Sequence, residues 1–143
     1  MATLRGSCHC GAVRVSLETA IPVDEIQVRA CDCTFCRRHG AKSATDPNGL
    51  LTFTFPRGGI AHYRFGHRTA DILICQTCGV YVGAVTDKQP PRGTLNVVGT
   101  RIEGLRDRAP DVVSLDHENR EARLARRRAK WTPMKVVELA ESA

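Results

Sequence analysis

The sequence predicts a mostly-β fold of antiparallel sheets, with a short C-terminal helix, and three observations carry that reading. Short segments alternate apolar and polar residues, glycine and proline punctuate them, and a single Arg/Glu/Ala-rich stretch near the end follows helical composition instead. Ala12 to Leu17 alternates as a half-buried strand does, and Ile26 to Ala30 repeats the pattern and runs into Cys31. Leu51 to Phe55 and Ile60 to Phe65 are two further strands, with Pro56-Arg57-Gly58-Gly59 as the turn between them. Asp71 to Ile74 leads into Cys75, Val80 to Val85 leads away from Cys78, and Thr94 to Val98 follows the Pro90-Pro91-Arg92-Gly93 loop. Many short strands of this kind make a sandwich or an open barrel. Asp116 to Lys130 is the expected helix, with Asp116 as N-cap and Thr132-Pro133 as its stop.

The chain has 143 residues, 42% of them hydrophobic and 25% charged, a composition that suits one globular domain. The expected domain spans 3–133, with 134–143 as a C-terminal tail. No stretch approaches the roughly 20 apolar residues of a membrane span. Met1 to Gly6 is followed at once by Cys8, without the apolar core of a secretory signal, so the expected compartment is the reducing cytoplasm.

That expectation decides how the seven cysteines are read. Their number is odd, and their spacing, Cys8-x-Cys10, Cys31-x-Cys33-x-x-Cys36 and Cys75-x-x-Cys78, is metal-ligand spacing rather than disulfide spacing. An extended Cys8-His9-Cys10 would put both thiols on one face. Cys75-Gln76-Thr77-Cys78-Gly79 reads as a zinc knuckle, with Gly79 permitting the tight turn. These two pairs together supply four thiolates, a closed structural zinc site. Cys31, Cys33 and Cys36 supply three, and a zinc with three protein ligands and one exchangeable position is the catalytic pattern. His39, Asp32, His62 or His67 would close that site if one of them reached it. Arg37, Arg38 and Lys42 follow the cluster and suit an anionic thiol substrate. His39 or a zinc-bound water is the expected general acid.

Net charge is +6. Seven thiolates on two zinc ions change it by −7 + 4, leaving about +3, which weakens a nucleic-acid reading. The Arg126-Arg127-Arg128 run is expected to be a solvated helix face, with Trp131 packing back on the sheet and few aromatics for bases to stack on.

The segments Gly6-Ser7-Cys8-His9-Cys10-Gly11-Ala12-Val13, Cys31-Asp32-Cys33-Thr34-Phe35-Cys36-Arg37-Arg38 and Cys75-Gln76-Thr77-Cys78-Gly79-Val80 resemble the glutathione-dependent formaldehyde-activating enzymes over roughly residues 3 to 130. The resemblance implies an Mss4-like zinc-binding sandwich. It also implies two zinc ions, a structural one on Cys8, Cys10, Cys75 and Cys78 and a catalytic one on Cys31, Cys33 and Cys36. The implied activity is that of a carbon–sulfur lyase or synthase acting on glutathione and formaldehyde. Centromere protein V resembles the same family, so the alternative is a non-catalytic module that contacts glutathione, protein or nucleic acid.

Overall fold

Alternation builds the first layer. In β2 (Arg14–Thr19) the side chains of Val15, Leu17 and Thr19 are buried while Arg14 faces solvent, and in β5 (Leu50–Arg57) Leu51, Phe53 and Phe55 are buried in the same rhythm. The computed structural model describes residues 1–142. β1 (Ala2–Ser7) pairs antiparallel with β2, and β2 with β5, in the register Val15↔Phe53 and Leu17↔Leu51, so the apolar sets of neighbouring strands share one face.

The second layer runs from β3 (Arg29–Cys31) and β4 (Ser43–Ala44) through β6 (Ile60–Tyr63), β7 (Ala70–Cys75), β8 (Tyr81–Thr86) and β9 (Arg92–Asn96) to β10 (Asp111–Val113). Its spatial order is β6-β7-β8-β9-β4-β3-β10. The two layers face each other across one core that includes Phe53, Leu73, Val82, Leu95 and Met134. A Cβ at Gly83 of β8 would lie 2.6 Å from Phe53 Cζ, which shows how closely the layers approach there. The outer face of β8 is covered as well, because Trp131 packs with Ala70 and Ala84 in a second apolar cluster. Five consecutive residues of β8 are therefore buried, unlike the one-sided β2.

The mostly-β expectation holds, and two pairings depart from the antiparallel one. β10 runs parallel to β3, and β11 (Thr132–Ser142) runs parallel to β5. Residues 134–142 are thus a strand and not the expected tail; Ala143 lies outside the described residues. Thr132 and Pro133 pair with Gly93 and Arg92 of β9, and from Met134 the strand passes to β5, so β11 belongs to both layers. The late helix α2 spans Arg120–Lys130, and its N-cap is Asn119, whose Oδ1 accepts from the Ala122 amide at 2.8 Å; Asp116 is not the cap. Pro56 and Arg57 complete β5, and the turn falls on Gly58, at φ +73°, and Gly59. A short helix α1 (Thr34–His39), absent from the sequence reading, occupies the middle cysteine cluster.

Truncation after Pro133 removes the Met134–Glu138 ladder on β5 and the buried Met134 side chain. It is expected to cost at least about 2 kcal/mol, read as a lower denaturant midpoint by circular dichroism. An unchanged midpoint would return the segment to the status of a tail.

Candidate functional site

The first thiol cluster sits where two chain reversals meet. Between the antiparallel strands β1 and β2 the chain has to turn back, so Cys8-His9-Cys10 is a turn and not the extended segment expected. The Gly11 amide donates to the Cys8 carbonyl at 3.1 Å, and Gly11 takes φ +82°. The Val13 amide points at Cys8 Sγ at 3.3 Å. The knuckle after β7 closes as expected: Gly79, at φ +79°, donates to the Cys75 carbonyl at 2.9 Å, and the Cys78 amide faces Cys75 Sγ at 3.5 Å. The four sulfurs lie within 4.8 Å of one another, with Cys8–Cys10 and Cys10–Cys75 at 3.7 Å. Four sulfurs each about 2.3 Å from one tetrahedral ion stand about 3.8 Å apart, so the set fits zinc. Among the free thiols, burial pushes Cys8 up to about 12. Burial also opposes ionisation of Cys78, but backbone hydrogen bonds involving Cys10 and Val80 and the Cys75 and Cys8 thiols outweigh it and bring Cys78 down to about 6.

The second cluster repeats the knuckle geometry. β3 delivers Cys31, Asp32 anchors to β10 through its amide and the Val113 carbonyl at 3.0 Å, and Cys33 is the N-cap of α1, its sulfur accepting from the Cys36 amide at 3.4 Å. Gly40 ends the helix in the left-handed region. The sulfurs of Cys31, Cys33 and Cys36 lie within 4.8 Å of one another, and among the described residues no histidine, carboxylate or further cysteine joins them. The candidates for a fourth ligand are placed elsewhere. His39 is exposed, its ring 4.5 Å from Phe35 and 5.6 Å from Tyr81. His62 stands 3.7 Å from Asp71, and His67 Nε2 lies 3.1 Å from the Glu118 carbonyl. Asp32 keeps Oδ1 buried without a hydrogen-bond partner. Hydrogen bonding from the Cys36 thiol brings Cys31 down to about 6, and that same contact, with burial, pushes Cys36 up. A soft, three-thiol donor set of this kind fits zinc with one position left over.

That cluster opens on a cavity of about 550 Å³ between the outer face of the second layer and α2. Trp131, Ile72, Ala84 and Phe65 form its apolar side. Cys31, Cys33, Cys36 and Lys42 line it as well, whereas Arg37, Arg38 and His39 are exposed on α1 and take no part in its wall. Lys42 Nζ donates to the carbonyls of Arg106 at 3.1 Å and Arg108 at 2.7 Å. The α2 arginines depart from the expected solvated face. Arg128 is exposed, but Arg123, Arg126 and Arg127 are partly buried and line the cavity. Trp131 packs back on the sheet as expected. Glu118 pairs with Arg126 at 2.7 Å and Arg123 at 3.3 Å. Desolvation brings Arg127 down to about 10.

Tyr81 was not singled out in the sequence. It is buried, lines the cavity beside the thiols, and burial followed by the nearby cysteines pushes its phenol well above the ordinary value, so it stays protonated. The available signal was its position, two residues after the knuckle glycine in an otherwise small and aliphatic strand. A larger groove of about 720 Å³ lies by β1, β2 and β5 and carries only Cys8 of the thiols.

The sequence profile described as Glutathione-dependent formaldehyde-activating enzyme matches residues 3–113. The chain belongs to that family. A crystal structure of a Rhodobacter sphaeroides protein, a structural-genomics target, is similar to it at 33% identity and a TM-score of 0.58, over 76% of this chain and 99% of that one. The match to the formaldehyde-activating enzymes contains all seven cysteines and stops before α2 and β11. No helix among the described residues is long and apolar enough to cross a membrane.

The two clusters differ in what they hold together, so their loss should differ. Cys75→Ser is expected to leave an unfolded or aggregated chain, because a closed four-thiolate site contributes on the order of 10 kcal/mol to folding. Cys33→Ser should keep near-native circular dichroism and lose one of two zinc ions by metal analysis. The opposite pattern would reverse the assignment of structural and open sites.

Proposed function

We propose that this chain joins a thiol to a small aldehyde, glutathione and formaldehyde being the pair its family is named for, and releases them again in the reverse direction. The observation that carries the reading is the convergence of Cys31, Cys33 and Cys36 on a cavity wall with no fourth protein ligand among the described residues. A zinc ion there would supply a thiophilic Lewis acid and a position for the substrate sulfur.

The protein's own groups account for the remainder. The substrate thiol gives up its proton, its sulfur attacks the carbonyl carbon, the carbon–sulfur bond forms, and the carbonyl oxygen takes up a proton, giving a hemithioacetal. Tyr81, held neutral by its burial, is suited to donate a hydrogen bond to that oxygen as charge develops on it. Trp131, Ile72 and Phe65 give the cavity an apolar side, which would limit the water beside the reacting atoms. Cationic side chains along the wall suit the carboxylates of a peptide thiol. The reaction class is that of a carbon–sulfur lyase, and two zinc ions per chain, in the cytoplasm, complete the reading.

Cobalt loaded at the three-cysteine site tests it. Glutathione should intensify the thiolate-to-metal charge-transfer bands, and formaldehyde should reverse the change as the sulfur is consumed. Tyr81→Phe should slow adduct formation by about tenfold or more, with glutathione affinity held within about twofold. If no thiol alters the cobalt spectrum at millimolar concentration, the thiol chemistry is wrong. If Tyr81→Phe reacts at the wild-type rate, the hydrogen-bond role of Tyr81 is wrong.

A further inference from the structure

We propose that α2 provides this cavity with an anion subsite, in which Arg127, supported by Arg29, binds the carboxylate or phosphoryl group of the thiol substrate. The substrate class is then an anionic thiol, selected by a part of the chain that lies beyond the family match; naming the ligand a thiol rests on the function proposed above.

Among the arginines that line the cavity, charge pairing singles out these two. Glu118 serves two of the helix arginines: its Oε2 accepts from Arg126 Nε at 2.7 Å, and its Oε1 accepts from Arg126 Nη2 at 3.1 Å and Arg123 Nε at 3.3 Å. Arg123 is further spent on the Leu115 carbonyl at 2.8 Å. Arg127 has no carboxylate partner among the described residues. Its guanidinium lies 4.6 Å from the Trp131 ring centroid, one nitrogen donates to Thr69 Oγ1, and Nε is buried with no acceptor. Arg29 donates to Thr45 Oγ1 at 2.6 Å and has no carboxylate partner among the described residues. Both arginines line the cavity that the three thiols line.

A guanidinium partly withdrawn from water without an anion carries a desolvation cost, and an incoming carboxylate or phosphoryl group offsets that cost through charge-assisted hydrogen bonds. The stacking on Trp131 holds the plane of the fork, so little side-chain freedom remains to be lost on binding. Arg37 and Arg38 lie outside the wall and have no comparable constraint.

The test separates the anion from the thiol. In the first arm the zinc-loaded full chain is melted with glutarate or with inorganic phosphate, against sodium chloride of equal ionic strength. One of the two anions should raise the melting temperature of the wild type, and the larger shift tells carboxylate from phosphoryl. Arg127→Gln should abolish the shift, Arg29→Gln should reduce it, Arg127→Lys should retain part of it, and Arg37→Gln with Arg38→Gln should leave it unchanged. Circular dichroism and a count of two zinc ions show that each variant is folded. In the second arm the cobalt-loaded chain is titrated with 3-mercaptopropionate and with 2-mercaptoethanol. The wild type should prefer the anionic thiol by about tenfold. Arg127→Gln should lose that preference without weakening 2-mercaptoethanol. Absence of any anion-specific stabilisation overturns the subsite, and so does a shift that survives in both Arg127→Gln and Arg29→Gln. Equal weakening of both thiols by Arg127→Gln overturns it too. Arg127-dependent anion binding with cobalt spectra that no thiol changes would sustain the subsite and overturn the thiol reading alone.

Discussion

Four sulfurs drawn from both layers meet at one end of the sandwich, where a metal ion would tie the layers together. Cys8 and Cys10 come from the reversal between β1 and β2 in the first layer, and Cys75 and Cys78 from the reversal between β7 and β8 in the second. Cys8 and Cys75 are also members of the main apolar core, so the cluster continues the core as well as capping it. As free thiols Cys8 and Cys78 pull in opposite directions, because burial holds the proton on Cys8 while backbone hydrogen bonds favour the thiolate at Cys78. A divalent ion would resolve that opposition by taking all four sulfurs as thiolates, which would couple metal binding to folding.

The second layer is placed to carry a site because it is covered on both faces. Phe53 closes on Gly83 from the core side, and Trp131 packs on Ala84 from the other. The C-terminal segment that does this covering is fastened at both ends. Glu118, Arg123 and the Leu115 carbonyl fix the start of α2. At its end Arg92 Nη1 donates to the Trp131 carbonyl at 2.7 Å, and the buried Thr132 Oγ1 accepts from the Asp46 amide at 2.8 Å. Asp46 in turn accepts from Thr19 at 2.6 Å, in the first layer. The cavity wall formed by α2 is therefore tied to both layers and not laid loosely over them, and a wall so held can position a guanidinium.

Local pattern made part of this legible. The alternation of β2, β5 and β7 and the cysteine spacing each mark their element within a few residues, because period-two burial and knuckle turns are local properties. What pairs with what is not local. β11 carries Met134-Lys135-Val136-Val137-Glu138-Leu139, a plain strand pattern, yet it reads as a tail after a Thr-Pro stop until β5 is known to lie beside it. The parallel β3–β10 pair joins segments about eighty residues apart, and α1 is six residues long and capped by a thiol rather than by an ordinary N-cap residue. The orientation of α2 was hidden for a related reason. A run of three arginines has no apolar stripe to say which of them turns inward, and the aromatic that settles it, Trp131, lies at the helix end and packs on strands forty to sixty residues earlier.

Inward orientation is also what separates the two functional classes that the basic composition leaves open. A surface that grips a nucleic-acid backbone needs cations facing solvent along a track, unpaired and free to meet phosphates. Here Glu118 takes up Arg123 and Arg126, and Trp131 stacks Arg127. The charge of Arg123, Arg126 and Arg127 is thus divided between internal pairing and a 550 Å³ cavity that three thiols also line, while Arg120, Arg128 and Lys130 of α2 are exposed. A zinc ion with three thiolates bears a net charge of about −1, too little to balance the cationic wall by itself. On the proposed reading, the imbalance would be met by a ligand that brings both a sulfur for the metal and an anion for the arginines. A small peptide thiol carries both groups on one flexible chain, and a cavity of this volume accommodates a ligand of that size.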